Sequence, residues 1–391
     1  MISVPAKNRD QPALHLRRIR AHLAWNGLRY RWLKVTGRPA RPQALSLEVT
    51  RRCIARCVMC NIWKTPPCLP ELSAQEWLGV LRSPALTSLR ELDITGGEPF
   101  LRADLGHLLE GIVELKDTHF RGLRTVAITT NGFLTEKISE RVGAILGPME
   151  DRGLDLVIAC AMDGVGVTHD RIRNFEGGWV KLDSTIRELT ALRARHPRLV
   201  IGLKTTIIPN NVDELERIVR YAEERGLFTI ISPCILTPIR YANLDREDAL
   251  SFTPAAKEKL ARFYGGPGFR WQYHREALRS FFRTGRMEKP CAAGFNYYFV
   301  RSTGDLYPCP LIETRIGNVQ TAPIEDFLRS APASSFRKRV GSFAACGSCT
   351  EPGLERYALP FEGFHYLGLS FRMTRRDFAE LHRHLGLDKY L

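Results

Sequence analysis

The sequence predicts an α/β protein in which six β/α units form either a partial α/β barrel or a doubly wound sheet, with a small cysteine-rich module behind them. Three observations carry this reading. Six short runs rich in β-branched and aliphatic residues alternate with amphipathic stretches before about residue 265. The runs start 29 to 47 residues apart, a spacing that suits β/α units better than a strict repeat. After residue 285 the alternation stops, and four cysteines appear in short, loop-rich sequence.

Residues 1–42 read as a basic N-terminal helical arm. Ten Lys or Arg stand there against Asp10 alone, so the arm holds +9 of the chain's net +15. Leu16, Leu23, Leu28 and Leu33 offer it an apolar face for packing on its own domain. The segment Gly37 to Pro42 breaks the helix. The strands predicted next are Ala44–Val49, Glu91–Ile94, Leu123–Thr129, Leu154–Cys160, Leu199–Ile207 and Phe228–Cys234. Helices begin near Ser73, Arg102, Thr135, Leu182 and Val212, and Ser73 with Glu76 makes a capping box. Strands separated by helices pair in parallel through right-handed crossovers, which gathers chemistry at their C-terminal ends. This body spans residues 43–265 and ends at the Gly265–Gly268 turn. Residues 266–355 hold a linker and the cysteine-rich module, with a hairpin from Phe299 to Tyr307 turning at Gly304-Asp305. Residues 356–391 end in a docking helix, Thr374 to Leu385, stopped by Gly386.

The 391 residues are 44% hydrophobic and 25% charged, which excludes wholesale disorder. No apolar run approaches the roughly 18 residues that span a bilayer, and no signal-like apolar core opens the chain, so a cytoplasmic protein is expected. Ten cysteines are too few for a disulfide scaffold, and seven of them sit in two tight sets, a pattern of metal binding. The basic arm suits an acidic partner or the surface of an anionic membrane. No nucleic-acid module accompanies it, which disfavours nucleic acid as a partner.

The first set is Cys53, Cys57 and Cys60, spaced C-x3-C-x2-C on the loop leaving the first strand. Three thiolates suit a cubane iron–sulfur cluster with one iron left open. A zinc site would need a fourth ligand, for which Cys68 is the local candidate. The spacing resembles the signature of the radical S-adenosylmethionine (SAM) enzymes. The second strand ends Thr95-Gly-Gly-Glu-Pro99, matching that family's Gly-Gly-Glu-Pro motif; Thr129-Thr-Asn-Gly132, Met162-Asp-Gly164 and His169-Asp-Arg-Ile-Arg173 follow in the family's order. Ala161 departs from the pattern, since many relatives carry Ser before the Asp-Gly pair. The resemblance implies a partial (β/α)6 barrel. It also implies a [4Fe-4S] cluster on Cys53, Cys57 and Cys60 whose fourth iron chelates SAM, and an external one-electron reductant of flavodoxin or ferredoxin type. Gly96 and Gly97 would admit the ligand to the backbone, Glu98 would accept from its ammonium group, and Asn131 would meet the ribose or carboxylate. A turn asparagine capping its own backbone is the alternative for Asn131.

The second set is Cys291, Cys309, Cys346 and Cys349, the first two in the pattern C-x12-G-x4-C. This resembles the auxiliary-cluster modules called SPASM and twitch domains. Four cysteines, where a full SPASM module needs about seven, imply one further [4Fe-4S] cluster fully ligated by cysteine. A four-thiolate zinc site is the alternative. Cys160 and Cys234 end the fourth and sixth strands; each is either a buried apolar residue or a thiol that returns hydrogen to a substrate radical.

The reading is a radical SAM oxidoreductase that takes hydrogen from an unactivated carbon of a small-molecule or natural-product substrate and passes the electron to the auxiliary cluster. A redox-neutral epimerase, with Cys160 or Cys234 as hydrogen donor, and a peptide-modifying maturase are the rival enzymes. For the latter, the residues before the barrel are too few for a fused leader-recognition domain of about 80 residues. A zinc-binding interaction protein is the non-enzymatic rival.

Overall fold

The computed structural model describes residues 15–66, 69–238, 240–266, 273–353 and 355–391. Cys68, the first part of the basic arm and Gly268 of the expected boundary lie outside the described residues.

Helix α1 (Leu16–Thr36) precedes six β/α units. Their strands are β1 (Ala44–Thr50), β2 (Glu91–Gly96), β3 (Thr125–Thr130), β4 (Asp155–Ala161), β5 (Leu199–Ile207) and β6 (Phe228–Pro233). Helices α2 (Ala74–Leu81), α3 (Leu105–Thr118), α4 (Thr135–Asp151), α5 (Val167–Arg173), α6 (Gly178–Arg195) and α7 (Leu215–Glu224) lie between them. The capping box opens α2 as expected: Ser73 Oγ accepts from Glu76 N, and Glu76 Oε2 accepts from Ser73 N at 2.8 Å.

All six strands pair in parallel and in chain order, Ala44 opposite Glu91 and Thr125 opposite Asp155 among the register pairs. A doubly wound sheet would reverse its strand order partway, so the sequential order selects the partial barrel. The strands alternate in character. Leu45, Leu47, Val49, Ile94, Ile128, Ile158 and Leu203 face the helices in one continuous core with Trp77, Leu108 and Ile186. The opposite parity carries Glu48, Thr95, Thr129, Lys204 and Thr206, which face the concave interior.

After β6 come α8 (Glu247–Leu250), α9 (Pro254–Gly265) and α10 (Tyr273–Thr284). The expected hairpin is β7 (Tyr297–Val300) with β8 (Asp305–Tyr307), followed by β9 (Gly317–Asn318). It joins the barrel's own sheet. β7 runs parallel to β1, Ala44 opposite Tyr297, and the full order is β6-β5-β4-β3-β2-β1-β7-β8-β9. The β1 edge, which would otherwise expose unpaired backbone groups, is thereby closed.

Helices α11 (Ile324–Arg329), α12 (Ala331–Arg339), α13 (Glu355–Glu362), α14 (Phe364–Arg372) and α15 (Arg375–Leu385) complete the chain. Thr374 caps α15 and Gly386 ends it in the left-handed conformation. Helix α1 packs on α12, α13 and α14 through Leu23, Gly27, Tyr30 and Leu33. Leu28, expected on that packed face, is instead 60% exposed, because helical spacing places it away from the buried positions.

Candidate active site

The C-terminal ends of the strands open on a cavity. Cys53, Cys57 and Cys60 all line it. Their loop is held by its backbone: Arg56 N donates to Arg173 O at 3.1 Å, Val58 N to Ile172 O at 2.9 Å and Asn61 N to Tyr241 O at 2.8 Å. Burial pushes the Cys53 thiol up to about 12 and the Cys60 thiol to about 11, and it raises Cys57 as well. Three desolvated thiols beside one another are costly as bare thiolates, and a cationic centre would relieve that cost.

The later motifs brace this loop. Asp163 is fully buried; its Oδ1 accepts from Thr206 N at 2.8 Å, and its Oδ2 lies 2.6 Å from Arg173 Nη2. Arg173 in turn points Nη1 at Cys57 Sγ, 3.6 Å away. His169 Nδ1 accepts from Asp163 N at 3.2 Å, and burial, reinforced by Arg173, lowers the ring to about 3, so it stays neutral.

Gly96 and Gly97 line the cavity, and their glycine identity has a local cause. A Cβ on Gly96, at φ 139°, would lie 2.2 Å from Thr50 O, and one on Gly97 would lie 2.2 Å from Arg52 O. Side chains there would prise the turn off the start of the cysteine loop. Glu98 corrects the expectation placed on it. Its carboxylate is fully buried and accepts from Thr130 Oγ1 at 2.9 Å, Asn131 N at 2.7 Å and Phe100 N at 3.2 Å. It lies behind the cavity wall, and burial raises it to about 7. Its geometry is that of a brace between two strand ends.

Asn131 caps its own turn, as one of the two readings expected. Oδ1 accepts from Phe133 N at 2.9 Å, capping its own turn, while Nδ2 is buried at the cavity without a partner. An orphaned donor beside the glycine turn fits a bound polar ligand.

The two remaining thiols separate by strand parity. Cys160 belongs to the hydrophobic core, and Ala161 takes the cavity position, so Cys160 is corrected from candidate donor to packing residue. Cys234 lines the cavity; Asn243 Nδ2 lies 3.6 Å from its Sγ, and burial raises it to about 12, which keeps it protonated. Glu48, Lys204, Arg240 and Tyr241 also line the cavity and were not singled out from sequence. Lys204 had a readable signal, a lone charge in an otherwise uncharged strand run.

Cys291 precedes β7, Cys309 follows β8, Cys346 sits within the turn Ala344–Ser348, and Cys349 closes that turn. Burial pushes Cys291 up to about 12, and Cys349 and Cys346 add to the rise. Cys309 is raised by burial and then by Cys291. Cys291, Cys309 and Cys349 pack in one cluster with Phe295, Phe336 and Leu311, and Cys346 lies three residues before Cys349. Tyr30 of α1 donates to Cys291 O at 2.9 Å. The segment just past Cys349 meets the barrel beside the cavity: Thr350 Oγ1 donates to Pro233 O at 3.1 Å, and Glu351 pairs with the cavity-lining Arg240.

A partial barrel with three thiols on the first strand's loop, and a second thiol set against its wall, defines an iron–sulfur enzyme of radical chemistry. The chain belongs to the radical SAM superfamily, whose family pattern matches residues 47–222, and it carries an iron–sulfur cluster-binding SPASM domain over residues 291–350. Its cofactors are accordingly SAM and [4Fe-4S] clusters. It is 23% identical over 283 residues to the sporulation killing factor maturation protein SkfB of Bacillus subtilis, covering 71% of this chain and 62% of that protein. It is 24% identical to the AdoMet-dependent heme synthase of Methanosarcina barkeri, over 79% of this chain and 87% of that one. The fold is similar to Streptococcus suis SuiB bound to precursor peptide SuiA, with a TM-score of 0.56 at 15% identity, covering 86% of this chain and 75% of SuiB. Among the described residues no helix is long and apolar enough to cross a membrane.

Proposed function

We propose that this chain oxidises a carbon centre of a peptide substrate by radical chemistry. Cys53, Cys57 and Cys60 would hold the cluster that opens one iron to SAM, and Cys291, Cys309, Cys346 and Cys349 would hold an auxiliary cluster. When bound, the first cluster and SAM supply a 5′-deoxyadenosyl radical able to take hydrogen from carbon. The backbone at Gly96 and Gly97 and the Asn131 amide would orient the ligand.

The observation that carries the oxidative reading is the fastening of Thr350 and Glu351, just past Cys349, to Ser232 and Pro233 at the end of β6 and to Arg240 on the cavity wall. A cluster with four cysteine ligands has no iron free for substrate, so electron exchange is its remaining chemistry. SkfB, named as a maturation protein, and SuiB, seen with a precursor peptide, support a peptide as the substrate.

Cys234 on the cavity wall favours one second reading, a redox-neutral reaction in which this thiol returns hydrogen.

Anaerobic reconstitution should give a brown protein with about eight irons. Replacing Cys53, Cys57 and Cys60 together by Ala should abolish formation of 5′-deoxyadenosine and leave about four irons. Undiminished 5′-deoxyadenosine in that variant, or a colourless zinc protein, overturns the proposal.

A further inference from the structure

Helix α1 has a second apolar face that nothing among the described residues covers. Its inner positions Leu23, Gly27, Tyr30 and Leu33 are buried, while Trp25, Leu28, Trp32 and Val35 form an outward stripe, 65%, 60%, 51% and 78% exposed. The spacing of three, four and three residues keeps these four on one line along the helix. Two exposed tryptophans in one stripe are costly on a surface that meets only water. Phe371 of α14, also 65% exposed, stands beside the helix with the Arg20 guanidinium 4.1 Å from its ring centre. It widens the apolar area beyond a single seam.

The charge on this helix limits what can cover the stripe. α1 contains six Lys or Arg and no Asp or Glu. Arg17, Arg18 and Arg29 are exposed and make no ion pair among the described residues; Arg31 pairs with Glu362 on the stripe's other flank, and Arg38 stacks over Trp32. A second copy of the chain, docked stripe to stripe, would bring these cations face to face, which like-charge repulsion opposes. The occupant must be apolar at its centre and anionic at its rim. A bilayer containing anionic lipid has both properties and is planar, matching a patch that extends from the helix onto Phe371. Tryptophan suits the headgroup boundary, and arginine stems reach along it to the phosphates.

We propose that α1 is a monotopic membrane-docking helix that lies in the plane of an anionic bilayer, with Trp25, Leu28, Trp32 and Val35 inserted and Arg17, Arg18 and Arg29 at the headgroups. The same helix touches the second thiol set on its inner face, through Tyr30 and Cys291. Docking would therefore seat that module close to the membrane surface.

The test uses the full chain with its clusters in place, floated with vesicles of phosphatidylcholine alone or of phosphatidylcholine mixed with phosphatidylglycerol. Binding should require the anionic lipid and weaken as salt rises. Arg18→Gln and Arg29→Gln should each lower the partition constant about fivefold. Trp25→Ser with Trp32→Ser should lower it about tenfold or more, with iron content and circular dichroism unchanged. Brominated lipids should quench the fluorescence of the unmodified protein, a readout independent of how any variant folds. No flotation at low salt, no quenching, or equal binding of the tryptophan variant overturns the proposal. So does binding to an acidic amphipathic helical peptide without binding to vesicles, or a dimer that the tryptophan substitutions dissolve.

Discussion

Arg240 and Glu351 form an ion pair at 3.2 Å, with 13% and 8% of their side chains exposed, that joins the cavity wall to the segment just past Cys349. Burial would raise the Glu351 carboxyl, but Arg240 and then Lys204 bring it to about 2. Removing the acid leaves several cations facing one another, so Glu351→Gln should cost about 3–5 kcal/mol, and Arg240→Met should cost less. The double variant should recover part of the loss. Urea unfolding of the four proteins checks this; additive single effects would show that the two groups do not depend on each other.

Lys204 points into the same cavity, and no hydrogen bond ties its ammonium to the described residues. Burial, and then Arg240, lower its pKa, so a carboxylate would be a favourable partner. Lys204→Met should raise the KM of a carboxylate ligand about 10- to 100-fold, with Lys204→Arg restoring part of it. SAM and a peptide both carry carboxylates, and two assays separate them. A shift in substrate-free SAM cleavage assigns the lysine to SAM, and a shift confined to product formation assigns it to the substrate. Unchanged kinetics in both would sink the role.

These residues also mark where the sequence stops being readable. The strands, the α2 capping box, the hairpin turn and the α15 cap are set by local periodicity and by residues that punctuate it. The cysteine loop and the Gly-Gly turn were legible for the same reason, since each is contiguous. The side-chain directions in β4 were not. Leu156 to Met162 is apolar throughout, so alternation gives no clue that Cys160 faces the helices and Ala161 the cavity. Glu98 matched a motif whose spelling does not show that Thr130 and Asn131 would absorb its carboxylate. Arg240 sits on a loop without periodicity, and its partner is 111 residues away. The parallel pairing of β7 with β1 is equally remote in sequence.

Glu91 anchors the chain's end to the base of the barrel. It is 1% exposed and meets Lys389 Nζ at 2.6 Å, Tyr390 OH at 3.0 Å and the Arg356 guanidinium. Burial alone would raise its pKa, yet Arg356 and Lys389 bring it below the usual carboxylate value. A depressed folded pKa gives stability that is complete above the unfolded value of about 4.3 and is lost as pH falls through the folded value. Glu91→Gln should therefore cost about 3–5 kcal/mol at neutral pH, with the gap to the unmodified protein closing in acid. Urea unfolding across pH measures it. A gap that stays constant into strong acid would show that the charge of Glu91 is not what holds the terminus.

Cys234 decides between an oxidised and a redox-neutral product. Once hydrogen has left carbon, the substrate radical must lose an electron, regain a hydrogen atom or form a new bond. Cys234 is the thiol outside the two ligand sets that reaches the cavity among the described residues, whereas Cys160 is sealed in the core. Under the oxidative reading, Cys234→Ala should still form product, and product made in D2O should be two hydrogens lighter than substrate without deuterium at the reacting carbon. Cys309→Ala should then retain SAM cleavage and lose product. Cys160→Ala should leave both steps intact and cost only about 1 kcal/mol in stability, the price of a small core cavity. If instead the product keeps the substrate's formula, carries one deuterium and disappears in Cys234→Ala, the thiol is the hydrogen donor and the oxidative proposal fails. The isotope result needs no assumption about how well either cysteine variant holds its clusters, because the unmodified enzyme alone gives one mass or the other.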